Sequence, residues 1–123
     1  MNVLNRIRLI LAETLNSPFT DSYLVTIGGR TVVLKQAGSY EGIDLSGVDL
    51  HGAHLENVNL KNAKLVGANL WGSHLAGANL EGADLKDAVL TGADLKDAIL
   101  TGADLSGARI DREALSTARA WDR

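Results

Sequence analysis

Three histidines and a set of acidic residues, mostly aspartates, are the groups in this sequence best suited to bind a metal or move a proton. His54, His74 and Asp94 follow one another at intervals of twenty residues, and His51 lies three residues before His54. Imidazoles and a carboxylate so spaced share an ion only if the chain passes over itself every twenty residues. Otherwise they read as ordinary polar surface. Asp, Ser and His occur without nucleophile-elbow or metalloprotease spacing. No glycine loop with Lys and Ser or Thr is present to cradle a phosphate, and Gly28-Gly29 alone reads as a turn. The chain has no cysteine, which removes disulfides, thiolate metal sites and thiol nucleophiles. The expected protein is therefore not an enzyme and carries no cofactor.

The elements that position these groups follow from a period of five. Every fifth residue from Leu45 to Leu105 is Leu, and Ile110 continues the series. Two residues before each sits a small or β-branched residue: Ile43, Val48, Ala53, Val58 and Ala63 first, then Ala68, Ser73 and alanines through Ala108. A period of five fits neither the helix period of 3.6 nor the strand period of 2. A chain that turns a corner every five residues keeps every leucine on one axis. Four sides then close a coil of twenty residues, and His54, His74 and Asp94 become one outward column. Gly usually follows each leucine by two, where a type II turn needs a positive φ. Asn57, Asn62, Asp87 and Asp97 replace it and tolerate that conformation. Arg112 does not, and there the repeat ends.

This pattern, with stretches such as GANLEGADL and TGADLKDAILTGADLSG, resembles the pentapeptide-repeat family, whose consensus is roughly A(D/N)LxG. The resemblance covers Ile43 to Arg112. It implies an all-β solenoid, a right-handed quadrilateral β-helix of about three and a half coils, with Leu and the preceding small residue inside. At about 4.8 Å per coil the column is about 17 Å tall. The resemblance also implies two interaction modes. Some members mimic duplex DNA and bind DNA gyrase, and some dimerise through their C-terminal ends. A phosphate-like charge density is about one per 1.7 Å. The repeat region holds ten acidic and six basic residues, net −4, and no side is a strong acidic stripe.

Composition agrees with a soluble globular chain. Of 123 residues, 46% are apolar, 22% are charged and 4% are aromatic, with a formal net charge of −3. A slightly acidic chain is a poor direct binder of nucleic acid. No apolar run approaches the ~20 residues of a membrane span. Glu13 closes the run Leu9-Ile10-Leu11-Ala12 too early for a signal peptide. The expected compartment is the cytoplasm, without membrane attachment.

Three segments result: 1–42 as an N-terminal cap, 43–112 as the β-helix, and 113–123 as a C-terminal capping helix and tail. Residues 1–15 read as an amphipathic helix. Tyr23–Ile27 and Thr31–Lys35 read as a hairpin turning at Gly28-Gly29-Arg30. Asp111 is the expected N-cap of a helix from Arg112 to Ala120. Ala114, Leu115 and Ala118 would face the last coil, and Leu115, Ala118 and Trp121 are candidates for contact with a second subunit. The candidate protein-binding patch is Trp71 with His51, Asn69, Val89 and Thr91, and Val66 around the preceding corner. A Trp among few charges suits such a patch. The expected role is a non-catalytic scaffold that binds another protein. Gyrase mimicry is the alternative, and a purely structural module, natural or engineered, is a second one.

Overall fold

The computed structural model describes residues 22–27 and 30–121. The helix expected over 1–15 lies outside the described residues.

Strands β1 (Ser22–Ile27) and β2 (Arg30–Lys35) pair antiparallel, with Ile27 opposite Arg30. The pairing runs one residue further at each end than the sequence suggests. Arg30 is part of the strand, leaving Gly28 and Gly29 between the partners.

From residue 37 onward the backbone returns to itself every twenty residues. Leu45 N–H donates to the Lys64 carbonyl, and Lys64 N–H donates back to Ile43. The resulting parallel bridges fall in four columns. They run through Ser39, Asn59, Asn79 and Ile99; Asp44, Lys64, Asp84 and Asp104; Asp49, Asn69, Val89 and Arg109; and His54, His74 and Asp94. Four columns mean four sides of five residues each, the twenty-residue coil expected from the sequence. Each corner is a turn in which Leu C=O accepts the N–H three residues on, as from Val48 to Leu45 at 3.1 Å. The third turn residue has positive φ, +70° at Gly47 and +59° at Asn57, as a type II turn demands. Asn62, Asp87 and Asp97 share that conformation, as their types suggest.

The leucines from Leu45 to Leu95 are fully buried, and Val25 and Leu34 of the hairpin join the same cluster. Each such leucine is worth about 2 kcal/mol of gross burial. Tyr40 stands where the repeat would place a leucine. Its hydroxyl donates to Val33 C=O at 3.0 Å and accepts from Lys35 N–H at 2.7 Å, tying the hairpin to the first coil. Gly38 makes room for it, since a Cβ there would lie 2.7 Å from the Tyr40 side chain.

The C-terminal end differs from expectation. Helix α1 spans Arg112–Thr117 and stops short of Ala120. Ala118 is extended, Arg119 N–H donates to Ala98 C=O, and strand β4 (Ala120–Trp121) pairs parallel with β3 (Ile99–Leu100). The unpaired edge of the last coil captures these residues before the helix can continue, because tertiary pairing outweighs helix propensity. Asp111 occupies the N-cap position without a side-chain cap bond. Its carboxylate instead accepts Gly92 N–H at 2.9 Å. It replaces the carbonyl that the next coil supplies elsewhere, as Thr91 does for Gly72. Ala114, Leu115, Ala118 and Trp121 pack, half-buried, against the core. Among the described residues no helix is long and apolar enough to cross a membrane.

Candidate functional site

The slot before each leucine points outward and sets the surface chemistry. Where it holds Asp or Asn, the side chain usually turns back to accept the N–H two residues on, as Asp44 does from Ser46 and Asn79 from Glu81. These short bonds make the corners rigid and fix what the corner residues present.

Trp71 is such a corner residue. Its N–H is held by Asn69 Oδ1 at 3.1 Å, and Asn69 Nδ2 donates to Asp49 Oδ1 on the preceding coil at 3.1 Å. Trp71 is 55% exposed. Gly52 N–H donates to Trp71 C=O and Gly72 N–H to Thr91 C=O, so His51, Trp71 and Thr91 form one column of corners. Val89 pairs with Asn69 on the neighbouring column, one coil on from it. The five patch residues thus occupy adjoining positions on two columns. Val66, at the corner before Trp71, is 37% exposed. His51 Nδ1 lies 2.8 Å from Asp49 Oδ1, and that contact is the main cause holding the Asp49 carboxyl below the usual carboxylate range.

The histidine column lies on the next side, just past the corner that carries Trp71. His54 pairs with His74, and His74 with Asp94. The two imidazoles stack with centroids 4.2 Å apart and planes within 4°. Asp94 does not join them, because its carboxylate accepts Lys96 N–H at 3.1 Å at its own corner. The carboxylate beside the rings belongs to Glu56, whose Oε1 is 3.3 Å from His54 Nδ1. The ligand-type atoms of His54, Glu56 and His74 all lie within 4.8 Å of one another. Glu56 escaped the sequence reading because it reaches the column from two residues along the chain, around a corner, and not by the twenty-residue spacing. The signal available was its place directly after the leucine that follows His54.

At the C-terminal end an open depression of about 530 Å³ is lined by Arg112, Leu115, Ser116 and Trp121. It brings together two of the three residues expected at a subunit contact, Leu115 and Trp121, but not Ala118.

Residues 43–82 and 73–112 match the family model for pentapeptide repeats (8 copies), more than half of the chain. No curated protein matches the sequence. Among solved structures, a pentapeptide repeat protein of the Arabidopsis thaliana thylakoid lumen aligns at 34% identity and TM-score 0.60, over 62% of this chain and 52% of its own. A pentapeptide repeat protein of Nostoc PCC 7120 aligns at 45% identity and TM-score 0.56, over 58% and 60%. The matched region thus spans just over half of each of those proteins. Such proteins are right-handed quadrilateral β-helices, in agreement with the four columns above.

Proposed function

Because the chain belongs to the pentapeptide-repeat family, we propose that it is a non-catalytic scaffold that binds a partner protein through the Trp71 face. The observation that carries this reading is a large aromatic residue, 55% exposed, on a corner fixed by hydrogen bonds from both its own coil and the preceding one. A rigid Trp gives contact area at low entropic cost, which is why Trp dominates protein-binding hot spots. His51, Thr91 and Val89 surround it with weakly charged surface. The finer architecture belongs to the same proposal: about three and a half coils, covered at the start by the β1–β2 hairpin and at the end by α1 and β4.

Gyrase mimicry receives less support. A DNA mimic needs unbroken negative charge along a side. The column of Asp44, Asp84 and Asp104 is interrupted by Lys64, and Lys86 Nζ lies 3.6 Å from Asp104 and 4.0 Å from Asp84. The column of Asp49 ends in Val89 and Arg109.

The test is a quantitative affinity pull-down from bacterial lysate, comparing the native chain with a Trp71→Ala/Val89→Lys variant. Both forms should give the same circular dichroism spectrum. Partners lost only with the variant support the Trp71 face. Gyrase subunits retained by both forms would overturn it in favour of mimicry.

A further inference from the structure

We propose that His54, Glu56 and His74 form a surface site for a divalent transition-metal ion that favours imidazole, with zinc as the reference ion. The backbone places the ligands first. Leu55 N–H donates to His74 C=O and His74 N–H to Ala53 C=O, both at 2.8 Å, so the two histidines occupy one rung of a fixed ladder. Their side chains leave the same side of adjacent coils, and the parallel stacking at 4.2 Å shows that nothing separates the rings. Glu56 then folds back over the corner toward His54.

The second observation is the state of that carboxylate. Oε1 faces His54, but Oε2 is shielded from solvent and has no hydrogen-bond partner. A charged oxygen left so is costly. A Glu56–His54 contact alone accounts for one oxygen and leaves the second, and His74, unexplained. A cation between the three side chains would satisfy the carboxylate and both imidazoles at once.

The donor set fits the ion. Two imidazole nitrogens and one carboxylate oxygen are a known zinc donor combination, with a fourth position left for water. Neutral imidazole with a carboxylate suits zinc and its neighbours in the first transition row better than magnesium or calcium, which prefer all-oxygen shells. Ligands on one zinc sit about 2.0–2.2 Å from it. A span of 4.8 Å or less therefore needs only modest adjustment. Imidazole binds an ion in the plane of its ring, and two stacked parallel rings share no plane, so binding turns at least one ring out of the stack. His54 has the freedom to turn, since more than half of its side chain is exposed.

Isothermal titration of zinc chloride into the metal-free 123-residue chain at about pH 7.5 tests the site. The expected result is saturable binding of one ion per chain, with magnesium giving no saturable heat. His74→Ala and Glu56→Gln should each weaken zinc binding about tenfold or more. His51→Ala and Asp94→Asn should leave it unchanged, because neither side chain reaches the cluster. No saturable heat in the native chain overturns the proposal, as does a Glu56→Gln variant that binds like the native chain. Loss of binding in Asp94→Asn would move the third ligand to Asp94. Far-ultraviolet circular dichroism separates each of these results from unfolding.

Discussion

The side chain of Asn57 lies over Gly77, and those of Asn62 and Asp87 lie in the same way over Gly82 and Gly107. At these three corners the side chain in the left-handed region leaves room only for a glycine one coil on, so that glycine is needed for space as well as for φ. Gly52 has the same positive φ but open space around its missing side chain. Gly52→Ala should therefore cost about 1 kcal/mol from backbone strain alone. Gly77→Ala should cost clearly more, and the Asn57→Gly/Gly77→Ala pair should recover the difference; urea denaturation midpoints check both. Ser73 shows the reverse case. It fills a small inward position, fully buried, and its hydroxyl has no partner. Ser73→Ala should raise stability by about 1 kcal/mol in the same assay. The sequence marks Ser73 only as small, because whether a hydroxyl finds a partner depends on coils above and below.

At the scale of elements, the leucine period and the corner residues are local signals, so the repeat and its turns were legible. The hairpin was legible for the same reason, in the β-rich runs flanking Gly28-Gly29. The length of α1 was not. Residues 112–120 continue to read as helix, yet Ala98 C=O accepts Arg119 N–H and ends it. Glu56 was missed through a similar non-local cause, a side chain crossing a corner. Tyr40 offers a test of how the hairpin is joined. Tyr40→Phe removes both bonds to β2 and should cost about 1–2 kcal/mol. Hydrogen exchange at the Lys35 amide should then accelerate, while Leu70 in the middle of the ladder keeps its protection.

Across the whole molecule, acid should weaken the fold through three corner carboxylates, Asp44, Asp49 and Asp104. The Asp44 carboxyl is held below its ordinary value chiefly by the Ser46 N–H. Asp49 is lowered chiefly by the His51 side chain, and Asp104 chiefly by the Ser106 side chain. Each carboxyl binds its proton more readily in the unfolded chain, so its contribution is complete above the ordinary carboxylate pKa and is lost as pH falls through the lowered one. The melting temperature should stay level from neutral pH to about pH 5 and drop below about pH 4, with a smaller drop in Asp104→Asn. The ladder also has a temporal meaning. Every rung joins residues about twenty apart, so no coil waits for a distant part of the chain. The cost of closing each loop is the same small term repeated. As the polypeptide leaves the ribosome, each new turn of twenty residues finds its template already laid down. The molecule is thus suited to winding up in the order in which it is made.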